Sequence, residues 1–149
     1  MLDINIKIDT KDIDKLLPNI KEGIYKGMKL AMLHAEAQSK KRFNTPNNLH
    51  VRTGRLRNSI IGQVTQSGDT YTGSLGTNVI YGPIHENGGV IRAKNAPYLK
   101  FQLPNGQWIS KKEVSIPSRP FLRPAITENI DRIREIIINS ITKEVNSGN

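Results

Sequence analysis

Apolar and polar residues alternate from Leu2 to Asp9, with Leu2, Ile4, Ile6 and Ile8 on one side and Asp3, Asn5, Lys7 and Asp9 on the other. A period of two belongs to a strand with one buried face, so the chain opens on a β-strand. Thr10 is placed to cap a short helical turn reaching Leu17, and Pro18 breaks it. Ile20, Ile24, Met28, Ala31 and Ala35 then recur at intervals of three and four, which predicts a long helix over residues 19–43. The small residues Gly23, Gly27, Ala31, Ala35 and Ala37 gather on that helix. Glycine inside a helix costs about 1 kcal/mol relative to alanine, so a close neighbour is expected there. Two neighbours fit: the domain's own sheet, or a helix from an adjoining subunit.

Residues 44–52 are polar, rich in Asn and Pro and without a period, and read as a flexible loop. Residues 53–59 suggest a helical turn with Thr53 as its cap. Two short runs, 60–65 and 70–76, flank the turn signal Gln66-Ser67-Gly68-Asp69 and predict a hairpin. A single helical turn over 81–86 is closed by Asn87-Gly88-Gly89, since glycine accepts the left-handed conformation that ends helices. Val90 and Ile91 begin another strand, and residues 98–101 and 107–110 form a second hairpin about Leu103-Pro104-Asn105-Gly106. Pro117, Pro120 and Pro124 stiffen residues 116–124 into an extended approach to the last element.

That element is a helix in which Ile126, Ile130, Ile133, Ile137 and Ile141 step by four, three, four and four. Glu128 and Arg132 have the spacing of an i,i+4 ion pair. Ile136 and Ile138 widen the apolar stripe, so one face is expected on the sheet and the remainder against a partner. Residues 146–149 are small and polar and read as a frayed tail. The order of elements makes one α+β domain over 1–149, an antiparallel sheet packed against two long helices, one N-terminal and one C-terminal.

Composition narrows the chemistry. Lys and Arg outnumber Asp and Glu by 22 to 13, a net charge of +9, which suits nucleic acid, an acidic protein surface or plain solubility. Without cysteine, disulfides, thiolate metal sites and cysteine nucleophiles are excluded. Three unpaired histidines at 34, 50 and 85 do not make a zinc site, so neither metal nor cofactor is expected. No signal peptide pattern opens the chain and no membrane-length apolar run occurs, which places its synthesis in the cytoplasm of the producing cell and predicts no membrane partner.

The densest basic cluster is Lys40, Lys41, Arg42, Arg52, Arg55 and Arg57, either a solvated edge or a contact for DNA or an acidic partner. Only one tryptophan and few other aromatic residues occur in the chain, so a base-stacking surface is not evident. His85 beside Glu86 invites a general-base reading. Adjacent side chains on a helical turn diverge by about 100 degrees, so hydrogen bonding of His85 or Glu86 to nearby backbone at a helix end is the expected role and catalysis is not.

Four stretches occur in a particular order: Val51-Arg52-Thr53-Gly54-Arg55-Leu56-Arg57-Asn58-Ser59-Ile60, the Tyr81-Gly82-Pro83-Ile84-His85-Glu86-Asn87-Gly88-Gly89 turn with the residues before it, residues 91–103, and Ile116-Pro117-Ser118-Arg119-Pro120-Phe121-Leu122-Arg123-Pro124-Ala125. Together, over residues 20–145, they resemble the phage virion morphogenesis family of head-to-tail joining and tail-completion proteins of tailed bacteriophages. The resemblance implies that Thr53, Gly54, Arg55 and Leu56, then Tyr81, His85, Glu86, Gly88 and Gly89, then Pro117, Arg119, Pro120, Phe121, Leu122 and Pro124 are fold signatures or interface residues. Asn87 departs from it, since an aromatic is frequent there in the family.

The resemblance further implies a structural part of the virion, of phage or prophage origin. Such a part assembles with copies of itself as a ring around the DNA channel, commonly a hexamer, beside other neck and tail proteins, and some members stay monomeric until they meet the growing virion. Ring closure needs two different patches, one for each neighbour. The loop at 44–52 and the broad C-terminal helix are the candidates, and a loop that orders only on assembly would delay polymerisation. A different class, a small basic nucleic-acid-binding or ribonuclease-like domain such as a toxin, predicts binding with a steep salt dependence.

Overall fold

A computed structural model describes residues 2–11 and 18–147. The elements are β1 (Leu2–Asp9), α1 (Pro18–Lys41), α2 (Arg55–Asn58), β2 (Ile61–Ser67), β3 (Thr70–Thr77), α3 (Gly82–Asn87), β4 (Gly89–Arg92), β5 (Leu99–Gln102), β6 (Trp108–Lys111), β7 (Glu113–Ile116), α4 (Arg123–Thr127) and α5 (Ile130–Ser147). The class is α+β, as expected.

Strands β1, β3 and β2 form an antiparallel sheet with β3 at the centre. Opposed residues share a face, and the register sets Leu2, Ile4, Ile6 and Ile8 opposite Thr77, Leu75, Gly73 and Tyr71. This face turns inward, with Tyr71 and Leu75 buried. The alternation along β1 therefore reports a real edge strand with one wet side. Thr10 is fully buried, but it caps nothing described: its hydroxyl and amide both donate to the Asp69 carbonyl at 2.7 and 2.8 Å, tying the end of β1 to the β2–β3 turn. Most of the expected turn from Thr10 to Leu17 lies outside the described residues.

Helix α1 begins on Pro18, whose missing N–H is no loss in a first helical turn. It buries Ile24, Met28, Ala31, Met32 and Ala35. Its glycines face the chain's own C-terminal helix: a Cβ on Gly23 would stand 2.6 Å from the Ile141 Cα, and one on Gly27 2.8 Å from the Ile137 Cα. The close neighbour is thus neither a sheet nor another subunit at these two positions. The sheet meets α1 on another side, where a Cβ on Gly62 would run into the Met32 carbonyl oxygen. Glu36 of α1 also accepts the Gly62 amide at 2.9 Å. Ile133 of α5 joins the cluster that holds Ala31, Met32, Leu75 and Phe121, with Leu2, Ile4 and Ile6 packed against it.

The last helical stretch is broken. The expected continuous helix is α4 and α5 separated at Glu128–Asn129. There the Asn129 side-chain amide donates to the Ala125 carbonyl at 3.1 Å and the Asn129 carbonyl accepts Ile133 N–H at 2.9 Å. Glu128 does not pair with Arg132. It takes Arg42 at 2.8 Å, linking the C-terminal end of α1 to this break, and Arg132 pairs with Glu135 at 2.8 Å. Asn146 and Ser147 still belong to α5.

Strands β4 to β7 form a separate β-arm. β4 pairs with β7 and β5 with β6, both antiparallel, and the Ala93 amide donates to the Lys112 carbonyl at 3.1 Å between the two ladders. The turn over residues 103–106 closes the tip, with Gly106 at φ 85°. No residue from 87 to 120 is buried. Strand β7 went unforeseen, because four residues beside a proline-rich segment carry no readable period.

Candidate functional site

The signature stretches meet at the end of the molecule opposite the β2–β3 turn, in two connected features. One is a clasp and the other a cavity.

The clasp is built on Glu86, 3% exposed in α3. Its carboxylate accepts three backbone amides, Phe121 at 2.7 Å and Leu122 and Arg123 at 2.9 Å each. The first amides of a helix lack intrahelical acceptors, and Pro120 and Pro124 flank these three, so a carboxylate from another element satisfies them. The clasp is reinforced by two bonds to main-chain carbonyls: the Arg119 amide donates to the His85 carbonyl and the Ser118 hydroxyl to the Glu86 carbonyl, both at 2.8 Å. Gly88, at φ 72°, lets β4 leave α3, and a Cβ there would stand 2.8 Å from the Ser118 amide.

Held this way, Phe121 and Leu122 enter the core at 2% and 0% exposure, and Phe121 meets Phe43 edge-on at 5.5 Å between ring centroids. Pro124 is buried within α4, whereas Pro117 and the Arg119 side chain are exposed, so Arg119 fastens the segment through its backbone alone. Asn87 is exposed, so its departure from the family pattern empties no core position.

His85 and Glu86 diverge as expected. The Glu86 carboxylate is committed to the clasp, while the His85 ring lies edge-on to Tyr81 at 6.0 Å and faces the cavity. Burial, and secondarily the positive charge of Arg119, lower the pKa of His85 from its ordinary value.

The cavity, about 360 Å³, has an apolar floor of Phe43, Leu49, Val51 and Leu56 and a rim of His50, Arg52, Arg55, Arg57, Tyr81 and His85. The Thr53–Leu56 turn supplies one wall. Its geometry rests on Gly54 at φ 78°, which stands as the N-cap of α2 in place of the expected Thr53. The Thr53 hydroxyl is only a distant acceptor for the Arg55 amide, at 3.4 Å. Leu56 is buried and anchors the turn, leaving the arginines on either side at the surface.

The loop at 44–52 forms the other wall without helix or strand. Asn44 and Asn47 take left-handed backbone angles, the Asn44 amide donates to the Leu49 carbonyl at 2.8 Å, and the Asn44 side-chain oxygen accepts the Val51 amide at 2.7 Å.

The expected basic cluster divides. Lys40 pairs with Glu36 at 2.6 Å and Arg42 with Glu128 at 2.8 Å, so both are neutralised locally. Lys41 and Arg42 border a different groove together with Glu128. Arg52, Arg55 and Arg57 gather at the cavity. Phe43, Leu49 and His50 lie outside the signature stretches; the apolar residues before and within a polar loop, Phe43 and Leu49, are the trace that the cavity floor leaves in the sequence. Among the described residues no group of three His, Asp or Glu side chains is placed to hold a metal ion, and no helix is long and apolar enough to cross a membrane.

A small α+β domain whose signature residues clasp one segment to another, beside a projecting β-arm, has the build of an assembly part. Residues 26–142 match the model of the phage virion morphogenesis family, and the chain belongs to that family. It is a structural, virion-associated protein of a bacteriophage. No curated protein and no solved structure matches the chain.

Proposed function

We propose that this protein completes the head-to-tail region of a tailed phage or prophage particle, as one subunit of a neck ring around the DNA channel, with no catalytic role of its own. The observation that carries this reading is the β-arm. Residues 87–120 contribute nothing to the core, yet Val90, Ile91, Tyr98 and Trp108 are exposed on it by 49%, 41%, 47% and 69%. A lone two-stranded ribbon is marginal in water, and its open edges invite pairing. An element of that kind is stabilised when a neighbouring subunit covers it, and a head-to-tail contact of arm on body closes into a ring when the rotation repeats.

A second reading also draws on the arm. Lys100, Gln102, Trp108 and Ser110 share one face of the β5–β6 ribbon, and an exposed indole beside lysine suits a single-stranded nucleic acid. Binding to free DNA or RNA that falls steeply with salt favours this reading; weak, sequence-indifferent binding favours the neck part.

The test is negative-stain microscopy of particles made with the gene stopped early, beside the same lysate complemented in trans. Filled heads and separate or abnormal tails, rejoined by complementation, are expected. Normal infectious particles from the stopped gene would remove the proposed role.

A further inference from the structure

The cavity beside the clasp contains more positive charge than the fold uses. Arg52 and Arg55 make no side-chain hydrogen bond or ion pair among the described residues, and Arg57 makes only a 3.4 Å contact from its Nε to the Lys40 carbonyl. No aspartate or glutamate lines the cavity. Like charges brought together without counter-charge repel, and their neighbours Lys40 and Arg42 have each found a carboxylate within the chain.

The floor is a second, separate observation. Phe43, Leu49 and Leu56 form part of the core, at 7–8% exposure, and the cavity opens onto them. An apolar floor within a cationic rim is the build of an interface pocket: one anchor side chain is desolvated at the centre while charged pairs form around it. Guanidinium groups match carboxylates two bonds at a time. At about 360 Å³ the space is at the small end for a ligand pocket.

We infer that this cavity binds an acidic peptide segment of a neighbouring virion protein, one that sets an apolar side chain on the Phe43–Leu56 floor and carboxylates against Arg52, Arg55 and Arg57. Duplex nucleic acid fits less well, because its phosphate backbone offers nothing to the apolar floor and a duplex is too broad for a concave site of this size. A second copy of the same chain is a poor source, since the arm it would present carries Lys94, Lys100, Lys111 and Lys112 and, between residues 94 and 112, no carboxylate. The neck assignment bears only on which protein supplies the segment; the chemistry of the cavity stands without it.

The test uses the full chain, immobilised, as bait for a library of random twelve-residue peptides displayed on yeast, followed by titration of the enriched peptides into isotopically labelled protein. Enriched peptides should set Leu, Ile or Phe next to two or more Asp or Glu. They should shift the amide signals of Gly54, Arg55 and His85, and bind at least tenfold more weakly to the triple variant Arg52→Glu, Arg55→Glu, Arg57→Glu. All three substituted side chains are exposed, and an unchanged amide spectrum elsewhere confirms that the variant folds. Inorganic phosphate, a 20-base single strand and a 20-base-pair duplex should not displace the peptides. Absence of acidic enrichment, equal binding to the triple variant, shifts confined to other surfaces, or displacement by DNA would each overturn the inference. A particle-joining defect in the stopped gene with any of these results would leave the neck role standing and remove the cavity from it.

Discussion

Replacing Glu86 with alanine should be among the most damaging single changes away from the sheet. The wild-type carboxylate satisfies three amides at 2.7–2.9 Å, those of Phe121 and Leu122 being buried. Hydrogen bonds to a charged acceptor contribute roughly 1.5–3 kcal/mol each, and a buried amide left without a partner costs roughly 1–3 kcal/mol. The three share one acceptor and one segment, so their contributions do not add in full. A loss of about 4 kcal/mol is expected for Glu86→Ala, in the range seen when one side of a buried charged network is removed. Glu86→Gln keeps the volume and one carbonyl oxygen but turns an NH2 toward a donor, and should cost about 2 kcal/mol. The assay is urea denaturation followed by far-ultraviolet circular dichroism, with His85→Ala as the neighbouring control. A loss below about 1 kcal/mol for Glu86→Ala, or equal losses for Ala and Gln, would refute the clasp as the source of stability.

Three further outcomes follow from the packing and charge. Phe121→Ala should cost about 3–5 kcal/mol, the scale for emptying a buried aromatic site, since Phe121 is 2% exposed and stacked edge-on with Phe43; a change under about 0.5 kcal/mol in the same melts would place Phe121 outside the core. Gly27→Ala inverts the usual helix ranking: alanine ordinarily gains about 1 kcal/mol, but with the Ile137 Cα 2.8 Å from the new Cβ the variant should melt at a lower temperature than wild type, and a higher one would mean α5 yields. The pKa of His85 is lowered in the folded chain, so the unfolded state binds its proton more readily. The contribution of His85 is therefore fully present above the ordinary value of 6.5 and is lost as pH falls below it; melting temperatures between pH 7 and about 5.5 should decline less in His85→Asn than in wild type, and parallel declines would refute the assignment.

Much of the fold was legible because local periodicity carried it. The alternation in β1, the three-four spacing of Ile24, Met28, Ala31 and Ala35, and the turn signals at Gly68 and Gly106 each act over a few residues, and each element formed near its expected bounds. What was missed depends on contacts distant in sequence. The isoleucine period runs unbroken across Glu128–Asn129, so the break there, with Arg42 bound to Glu128, leaves no trace in the pattern. Strand β7 owes its existence to β4, twenty-odd residues earlier. The candidate site was half legible. A backbone-binding role was expected for His85 or Glu86 with nearby amides; it falls to Glu86, and its partners lie 35–37 residues away. The six basic residues looked like one patch in sequence, and only the internal carboxylates Glu36 and Glu128 divide them into paired and unpaired sets.

The proposal that the β-arm joins subunits is tested most directly by complementing the stopped gene with a shortened chain, in which residues 94–111 are replaced by an Asn-Gly turn between Ala93 and Lys112. Because nothing between residues 87 and 120 is buried, the shortened chain should fold and melt close to wild type. It should nevertheless leave filled heads and tails apart where the full chain rejoins them. Joined, infectious particles from the arm-shortened chain would contradict the account.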